Sequence, residues 1–221
     1  MNSTFIQHAS DFLPILLRGA IVTLQITVLA FALSSAIGLV LALMRVSSVR
    51  AVSLAAGTVI NLIRGLPIIV QLFYIYFVLP DFGIQLSAFQ AGVIGLGIAY
   101  SAYQAENFRA GIEAVDSGQR EAAQAMGMRM PLIMRRVILP QAFRIALPPY
   151  GNTLVMMLKD SSLVSTITVA EMTRAGQLIA SSTFQNMTVY TLVALLYLLM
   201  SLPLVYGLRR LERRFGAGKQ K

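Results

Sequence analysis

Cysteine is absent from this chain of 221 residues, and charged residues are scarce, at 12%. The missing cysteine excludes disulfide bonds and thiolate chemistry. A soluble domain normally carries about a quarter charged residues, so the low charge content excludes an ordinary water-soluble fold. No cluster of histidine and carboxylates has metal-ligand spacing, and no nucleophile–base arrangement is readable. Hydrophobic residues make up 57% of the chain, which indicates that lipid is the solvent for most of it.

Long apolar runs fill the sequence, and each exceeds the roughly 20 residues that a membrane-crossing helix needs. We therefore predict an all-α membrane protein with five transmembrane helices. The runs are Leu13–Met44, Val52–Leu79, Leu86–Phe108, Ile145–Ala170 and Met187–Leu208. Residues 1–12 are predicted to form an N-terminal tail, residues 13–208 the membrane domain and residues 209–221 a basic tail. The first run is too long for the core of a cleaved signal peptide, so none is expected.

The basic residues lie mainly on one side of the predicted bundle. Loops that alternate along the chain hold 14 of the 18 Lys and Arg residues. The opposite loops hold Asp11, Asp81 and Glu171, with Arg18 and Arg174 as their basic residues. The positive-inside rule then places the N-terminus outside and the C-terminus in the cytoplasm. The basic surplus is thus a topology signal, and we expect no nucleic-acid partner.

Small residues and prolines punctuate the apolar runs. Small residues at helical spacing, such as Ser34 and Gly38 in the first run, predict close packing between helices. Proline removes a backbone hydrogen bond and bends or breaks a helix. We therefore expect bends or breaks at four prolines: Pro67, Pro148, Pro149 and Pro203.

A polar segment from Ser117 to Pro140 interrupts the apolar pattern and predicts a helix, a turn and a second helix. We expect Ser117 to cap the first helix, with Glu121 in its first turn. Gly127 is expected to end that helix in a left-handed conformation. Pro131 suits the first turn of the next helix, and Pro140 is expected to mark the return to the membrane.

The same segment resembles the EAA motif of ABC importer permeases. That motif consists of Glu-Ala-Ala, three residues, Gly, nine residues, an aliphatic residue and then x-Leu-Pro. In this chain it begins at Glu121-Ala122-Ala123, continues with Gly127 and ends at Leu139-Pro140. Val137 occupies the aliphatic position, where isoleucine is usual. The resemblance to the polar amino-acid subfamily covers nearly the whole chain. Further matching segments are Arg64–Pro67, Ala102–Glu106, Ile138–Arg144, Lys159–Leu163, Val169–Arg174 and Arg209–Arg214.

The resemblance implies a permease subunit of a type I ABC importer in the bacterial inner membrane. It implies a second permease copy or a homologous one, two ATPase subunits below, and a periplasmic or lipid-anchored amino-acid-binding protein. The segment around Glu121–Gly127 would sit in a cleft of the ATPase. The chain has no G-x-x-x-x-G-K-[ST] phosphate loop, so we expect no enzyme activity and no cofactor in it, and ATP and Mg²⁺ on the partner ATPase.

Polar residues within or beside the apolar runs are candidates for the substrate pathway, because charges in a membrane are costly. Lys159 and Asp160 are predicted near the centre of the fourth helix, where they could bind the carboxylate and ammonium of an amino acid; Asp160 could instead pair with Arg64. Glu106 is expected to form a salt bridge with Arg109, with pathway lining as the alternative. Thr23 and Thr27 share one helix face and could bond neighbouring helices or line the outer vestibule.

Two other functions stay open at this point. An ion-coupled secondary amino-acid transporter could use Glu106 and Asp160 as carriers, although such folds usually show two related halves. The third possibility is a membrane scaffold without transport activity. The EAA-like loop favours the ABC permease over both the secondary transporter and the scaffold. The sequence does not select among glutamine, glutamate, arginine, histidine and cystine, nor between a homodimer and a heterodimer.

Overall fold

Every regular element of this computed structural model is helical in the part of the chain that it describes, residues 2–216, with side chains described for residues 9–213. The elements are α1 (Asn2–Arg45), α2 (Arg50–Gly65), α3 (Ile68–Phe73), α4 (Ala88–Glu113), α5 (Ser117–Ala125), α6 (Met130–Ile133), α7 (Leu139–Asp160), α8 (Met172–Thr183) and α9 (Asn186–Gly216). Shorter π and 3-10 turns join several of them. The predicted N-terminal tail is helical from Asn2 onward and continuous with the first apolar run.

The centre of the fold is the long contact between α1 and α4. Gly38 of α1 lies so close to α4 that a Cβ atom there would be 2.6 Å from the Cβ of Gln104. The predicted role of small residues in helix packing is confirmed here, because only a residue without a side chain permits this approach. The inner apolar cluster includes Ile26, Leu72, Tyr100 and Met157, which come from α1, α3, α4 and α7.

The second apolar run is not one straight helix. α2 ends at Gly65, and the helical segment that begins at Ile68 is bent from it by 97°. The break lies at Leu66 and Pro67, as predicted from the proline, because Pro67 has no N–H for the helix and restricts the residue before it. A π turn then covers Tyr74–Val78, and a 3-10 turn covers Leu79–Phe82.

The fourth apolar run departs from the prediction of a continuous helix. α7 ends at Asp160, a 3-10 turn covers Ser161–Ile167, and α8 begins at Met172 at an angle of 52° to the preceding segment. Thr168 adopts a left-handed backbone conformation, with φ +67°. Lys159 and Asp160 therefore lie at a helix end and not at the middle of a helix. By contrast, Pro148, Pro149 and Pro203 lie inside continuous helices.

Two helices in the described residues are long and apolar enough to cross a membrane unaided, Ala9–Arg45 and Asn186–Arg213. Counting each bent pair as one span raises the number to four. The chain is therefore an all-helical membrane protein. Irregular backbone at membrane depth is tolerated where it faces protein or a water-filled path, so the two broken segments must face one or the other.

Candidate functional site

The predicted cytoplasmic loop forms a short helix that stands out from the bundle. α5 spans Ser117–Ala125, and its N-cap is Asp116, whose carboxylate accepts from the backbone N–H of Gly118 at 2.8 Å. The prediction of Ser117 as the cap was wrong by one residue, because the carboxylate of Asp116 is the acceptor in place. Glu121 consequently lies in the second turn of α5, and its side chain is exposed.

One residue attaches α5 to the rest of the protein. Ala123 is 5% exposed and packs with Ile133 and Ile138, while its neighbours Glu121 and Ala122 are exposed. The short methyl side chain lets the helix lie close against the α6–α7 segment. An outward polar face remains available, which is the arrangement a docking helix requires.

Gly127 ends this helix as predicted. Its φ is +75°, in the left-handed region. The N–H of Gly127 donates to the carbonyl of Gln124 at 2.9 Å, and the N–H of Met128 donates to that of Ala123 at 3.1 Å. This pair of bonds is the Schellman motif. The turn leaves Met126 82% exposed at its tip.

The segment that follows the Gly127 turn is more continuously helical than predicted. Pro131 lies in the first turn of α6, as expected, and a π turn over Met134–Ile138 leads directly into α7. The N–H of Leu139 donates to the carbonyl of Met134, five residues earlier. Pro140 therefore lies inside a helical segment and does not end one, because the wide turn before it accommodates its missing donor. The helical path from Met130 into α7 is therefore unbroken, and α5 is joined to it by the turn at Gly127.

Asp160 has a different partner from the one considered in the sequence. Tyr100, 1% exposed on α4, donates its hydroxyl to the Asp160 carboxylate at 2.6 Å. Arg64 does not pair with Asp160; its guanidinium lies over the ring of Tyr103, 5.6 Å from the centroid. The rings of Tyr100 and Tyr103 are 5.7 Å apart. The structure therefore joins Arg64 and Asp160 through an aromatic pair and not by direct contact.

Lys159 is exposed, and no side chain described for residues 9–213 forms an ion pair with it. Within the described side chains, both ion pairs belong to Arg109, which binds Glu106 at 2.6 Å and also Glu113. The predicted bridge between Glu106 and Arg109 is thus confirmed. Glu106 therefore already has a cationic partner, whereas Lys159 has no anionic partner among the described side chains.

Thr23 and Thr27 are buried, at 0% and 2% exposure. Thr27 donates to the carbonyl of Thr23 at 2.7 Å. Thr23 bonds to Glu171 at 3.3 Å and accepts from the N–H of Met172 at 3.2 Å. For Thr23 this geometry favours bonding between helices over lining an open vestibule, whereas the hydrogen bond of Thr27 stays within α1.

Glu171 lies in an environment that differs most from the predicted one. It was assigned to an outer loop, yet it is fully buried and is the N-cap of α8. Its carboxylate accepts from the N–H groups of Thr173 and Arg174 at 2.8 and 2.7 Å, and from the hydroxyl of Tyr197 at 3.1 Å. An acidic residue directly before a helical stretch was the available signal. Tyr100 was also missed, because a tyrosine within an apolar run carries no such signal.

Comparison with known proteins matches most of the chain to one family. The model of the binding-protein-dependent transport system inner membrane component matches residues 13–217. A probable amino-acid ABC transporter permease of Sinorhizobium fredii is 41% identical over 194 residues, covering 88% of this chain and 84% of that protein. The glutamine transport system permease GlnP of Escherichia coli is 40% identical over 204 residues, covering 91% and 93% of the two chains.

Solved structures agree with this assignment. A crystal structure of an amino acid ABC transporter with histidines matches with a TM-score of 0.89 at 43% identity, covering 94% of this chain and 97% of that one. An inward-facing structure of the MetNI methionine ABC transporter matches with a TM-score of 0.78 at 21% identity, covering 93% and 98%. The second likeness shows the fold alone.

Proposed function

Because the chain belongs to the family of binding-protein-dependent transport system inner membrane components, we propose that it is the permease subunit of a type I ABC importer for a polar amino acid. Relatives named as amino-acid permeases at about 40% identity support the substrate class. The chain is not itself an enzyme. The energy source is therefore a separate ATPase subunit, with ATP and Mg²⁺ bound there.

The geometry of α5 carries this proposal. A helix held by the single buried residue Ala123, exposed elsewhere and ended by the Gly127 turn, presents a rigid projection to a soluble partner. The helical path from Met130 through Leu139 and Pro140 into α7 provides the mechanical link. Closure of an ATPase dimer around the coupling residues Glu121, Ala122, Ala123 and Gly127 would move α7, because Ala123 packs on Ile133 and Ile138 of the helical path that runs unbroken into α7.

We further propose five spans with the N-terminus outside, formed by α1, α2–α3, α4, α7 with α8, and α9. The basic residues at the inner ends, among them Arg45, Arg109 and Arg209, support this orientation. Two permease copies, identical or homologous, would form the pathway in a bacterial inner membrane. A binding protein, periplasmic or lipid-anchored, would deliver the amino acid from outside.

The substrate pathway is proposed to pass the break after α7. Discontinuous helices and their unwound backbone form the substrate sites of many transporters, and Lys159 and Asp160 lie where α7 ends. Lys159 has no carboxylate partner in the described structure and is available to a substrate carboxylate. Asp160 accepts one hydrogen bond from Tyr100 and keeps further acceptor capacity for an ammonium group. Arg64 lies beyond the Tyr100–Tyr103 pair as a second cation.

Reconstitution tests the function. The permease is combined in proteoliposomes with the ATPase and the binding protein expressed from neighbouring genes, and uptake of labelled glutamine, glutamate, arginine, histidine and cystine is measured. We expect uptake of a member of this set only with ATP and all the subunits present. Gly127→Leu permease that supports full uptake would contradict the role assigned to the turn. Uptake of none of the five would contradict the substrate class.

A further inference from the structure

A cation, Arg18, lies on the outward apolar face of α1. Arg18 is exposed, and its neighbours three residues away on the helix surface are Ile15 and Ile21, which are exposed at 50% and 56%. Arg18 has no carboxylate partner, because both ion pairs of the described side chains are made by Arg109. A guanidinium surrounded by apolar side chains is costly in a membrane unless an anion or water reaches it.

The depth of Arg18 places it near lipid headgroups. Arg45 ends α1 at the proposed inner surface. Arg18 lies 27 residues earlier on the same helix, about 40 Å away at 1.5 Å per residue. A bilayer with its headgroups is about 40–45 Å thick. The long Arg18 side chain therefore reaches the outer headgroup layer, where the anions are phosphates.

A groove adjoins this arginine. A cavity of about 480 Å³ lies between α1 and α8, lined by Arg18 and by the apolar side chains of Ile15, Val22, Leu178 and Ile179, among others. The two helices meet closely at its floor, where a Cβ on Gly19 would be 2.7 Å from the Cα of Met172. An apolar channel with one cation at its side matches a molecule with an acyl chain and an anionic head.

A second cation lies nearby. Arg174 belongs to the first turn of α8, the turn that contacts Gly19, and Leu178 of the groove is one helical turn beyond it. Arg18 and Arg174 are also the basic residues that the sequence places on the outer side, against the positive-inside trend. Both belong to the helices that bound the groove, although only Arg18 lines it.

We propose that this groove binds an anionic phospholipid of the outer leaflet, with its phosphate on Arg18 and an acyl chain between α1 and α8. The guanidinium fork suits a phosphate through two parallel hydrogen bonds. The proposal requires only that the chain spans a membrane, and it is independent of what the protein transports.

The absence of tryptophan allows a direct test. Ile15→Trp places the only tryptophan of the chain in the groove, where it can be excited selectively over the tyrosines, and the full chain is reconstituted in vesicles. Quenching by brominated phosphatidylglycerol is compared with quenching by brominated phosphatidylcholine to give a relative affinity. We expect a preference of about fivefold for the anionic lipid, corresponding to roughly 1 kcal/mol for one basic residue. Arg18→Gln should reduce the preference to about one, and Arg18→Lys should keep part of it.

Arg50→Gln is the matched control, since Arg50 is also an exposed cation but lies at the start of α2, on the proposed inner side and away from the groove. This variant should leave the lipid preference unchanged. Equal quenching by the two lipids would overturn the proposal. A preference that survives Arg18→Gln would overturn it as well. If neither lipid quenched the tryptophan, protein such as a second permease copy would cover the groove, and the proposed lipid site would be rejected.

Discussion

Replacement of Gly127 probes the coupling turn with a perturbation confined to the backbone. Gly127 has a φ of +75°, and a Cβ built there meets no heavy atom within 4 Å. The added Cβ therefore causes no collision, and the cost of placing it is that of a left-handed conformation for an L-residue, about 1–2 kcal/mol. This cost lowers the ratio of the native turn to alternative conformations about five- to thirtyfold.

We expect ATP-dependent uptake by Gly127→Leu permease to fall by a comparable factor, with unchanged amounts of protein in the membrane. Gly127→Asn is the matched control, because asparagine adopts the left-handed region more readily than other non-glycine residues. The assay is uptake of labelled amino acid into proteoliposomes, normalised to permease content. Equal uptake by the leucine variant and the unmodified chain would refute the reasoning, as would a larger loss in the asparagine variant.

Three further substitutions address other parts of the site. Glu121→Lys should weaken ATPase association in pull-down assays without lowering the melting temperature, because Glu121 is exposed and lies beyond the first turn of α5; unchanged association would show that this face is not the docking surface. Lys159→Met should abolish uptake while the free energy of unfolding changes by less than about 0.5 kcal/mol. Asp160→Leu should abolish uptake and also destabilise the protein by about 1–3 kcal/mol, since it leaves the buried hydroxyl of Tyr100 without its acceptor. If both variants were stable and active, both proposed roles would be rejected. Glu171→Gln should lower the melting temperature clearly, as an amide cannot accept from all of its donors, and the exposed control Asp81→Asn should not; equal melting temperatures would contradict the buried network.

The cytoplasmic loop was the part most accessible from the sequence. Gly127 and Pro131 have backbone roles that follow from their own covalent structures, so their positions predict the turn and the start of α6. The cap was placed one residue late, since Asp116 and Ser117 both suit that position. The continuity through Pro140 was missed, because a π turn is not visible in hydropathy or spacing.

Of the two breaks in the apolar runs, one could be predicted from the sequence and the other could not. The break at Pro67 follows from local chemistry, whereas the end of α7 at Asp160 has no proline or glycine to announce it. Tertiary contacts decide there: Tyr100 holds Asp160, and Glu171 caps α8 while bonding to α1 and α9. Partners more than 20 residues apart in the chain are not deducible from periodicity. The burial of Glu171 was unpredictable for this reason.

Uptake measured with the energy source controlled tests the central claim most directly. Proteoliposomes containing the permease, its ATPase and its binding protein are loaded with ATP, with a non-hydrolysable ATP analogue, or with an imposed proton or sodium gradient alone. The account predicts amino-acid uptake with ATP and none above background in the other conditions. Gradient-driven uptake by the permease without ATP or the ATPase would contradict it and would favour an ion-coupled secondary transporter.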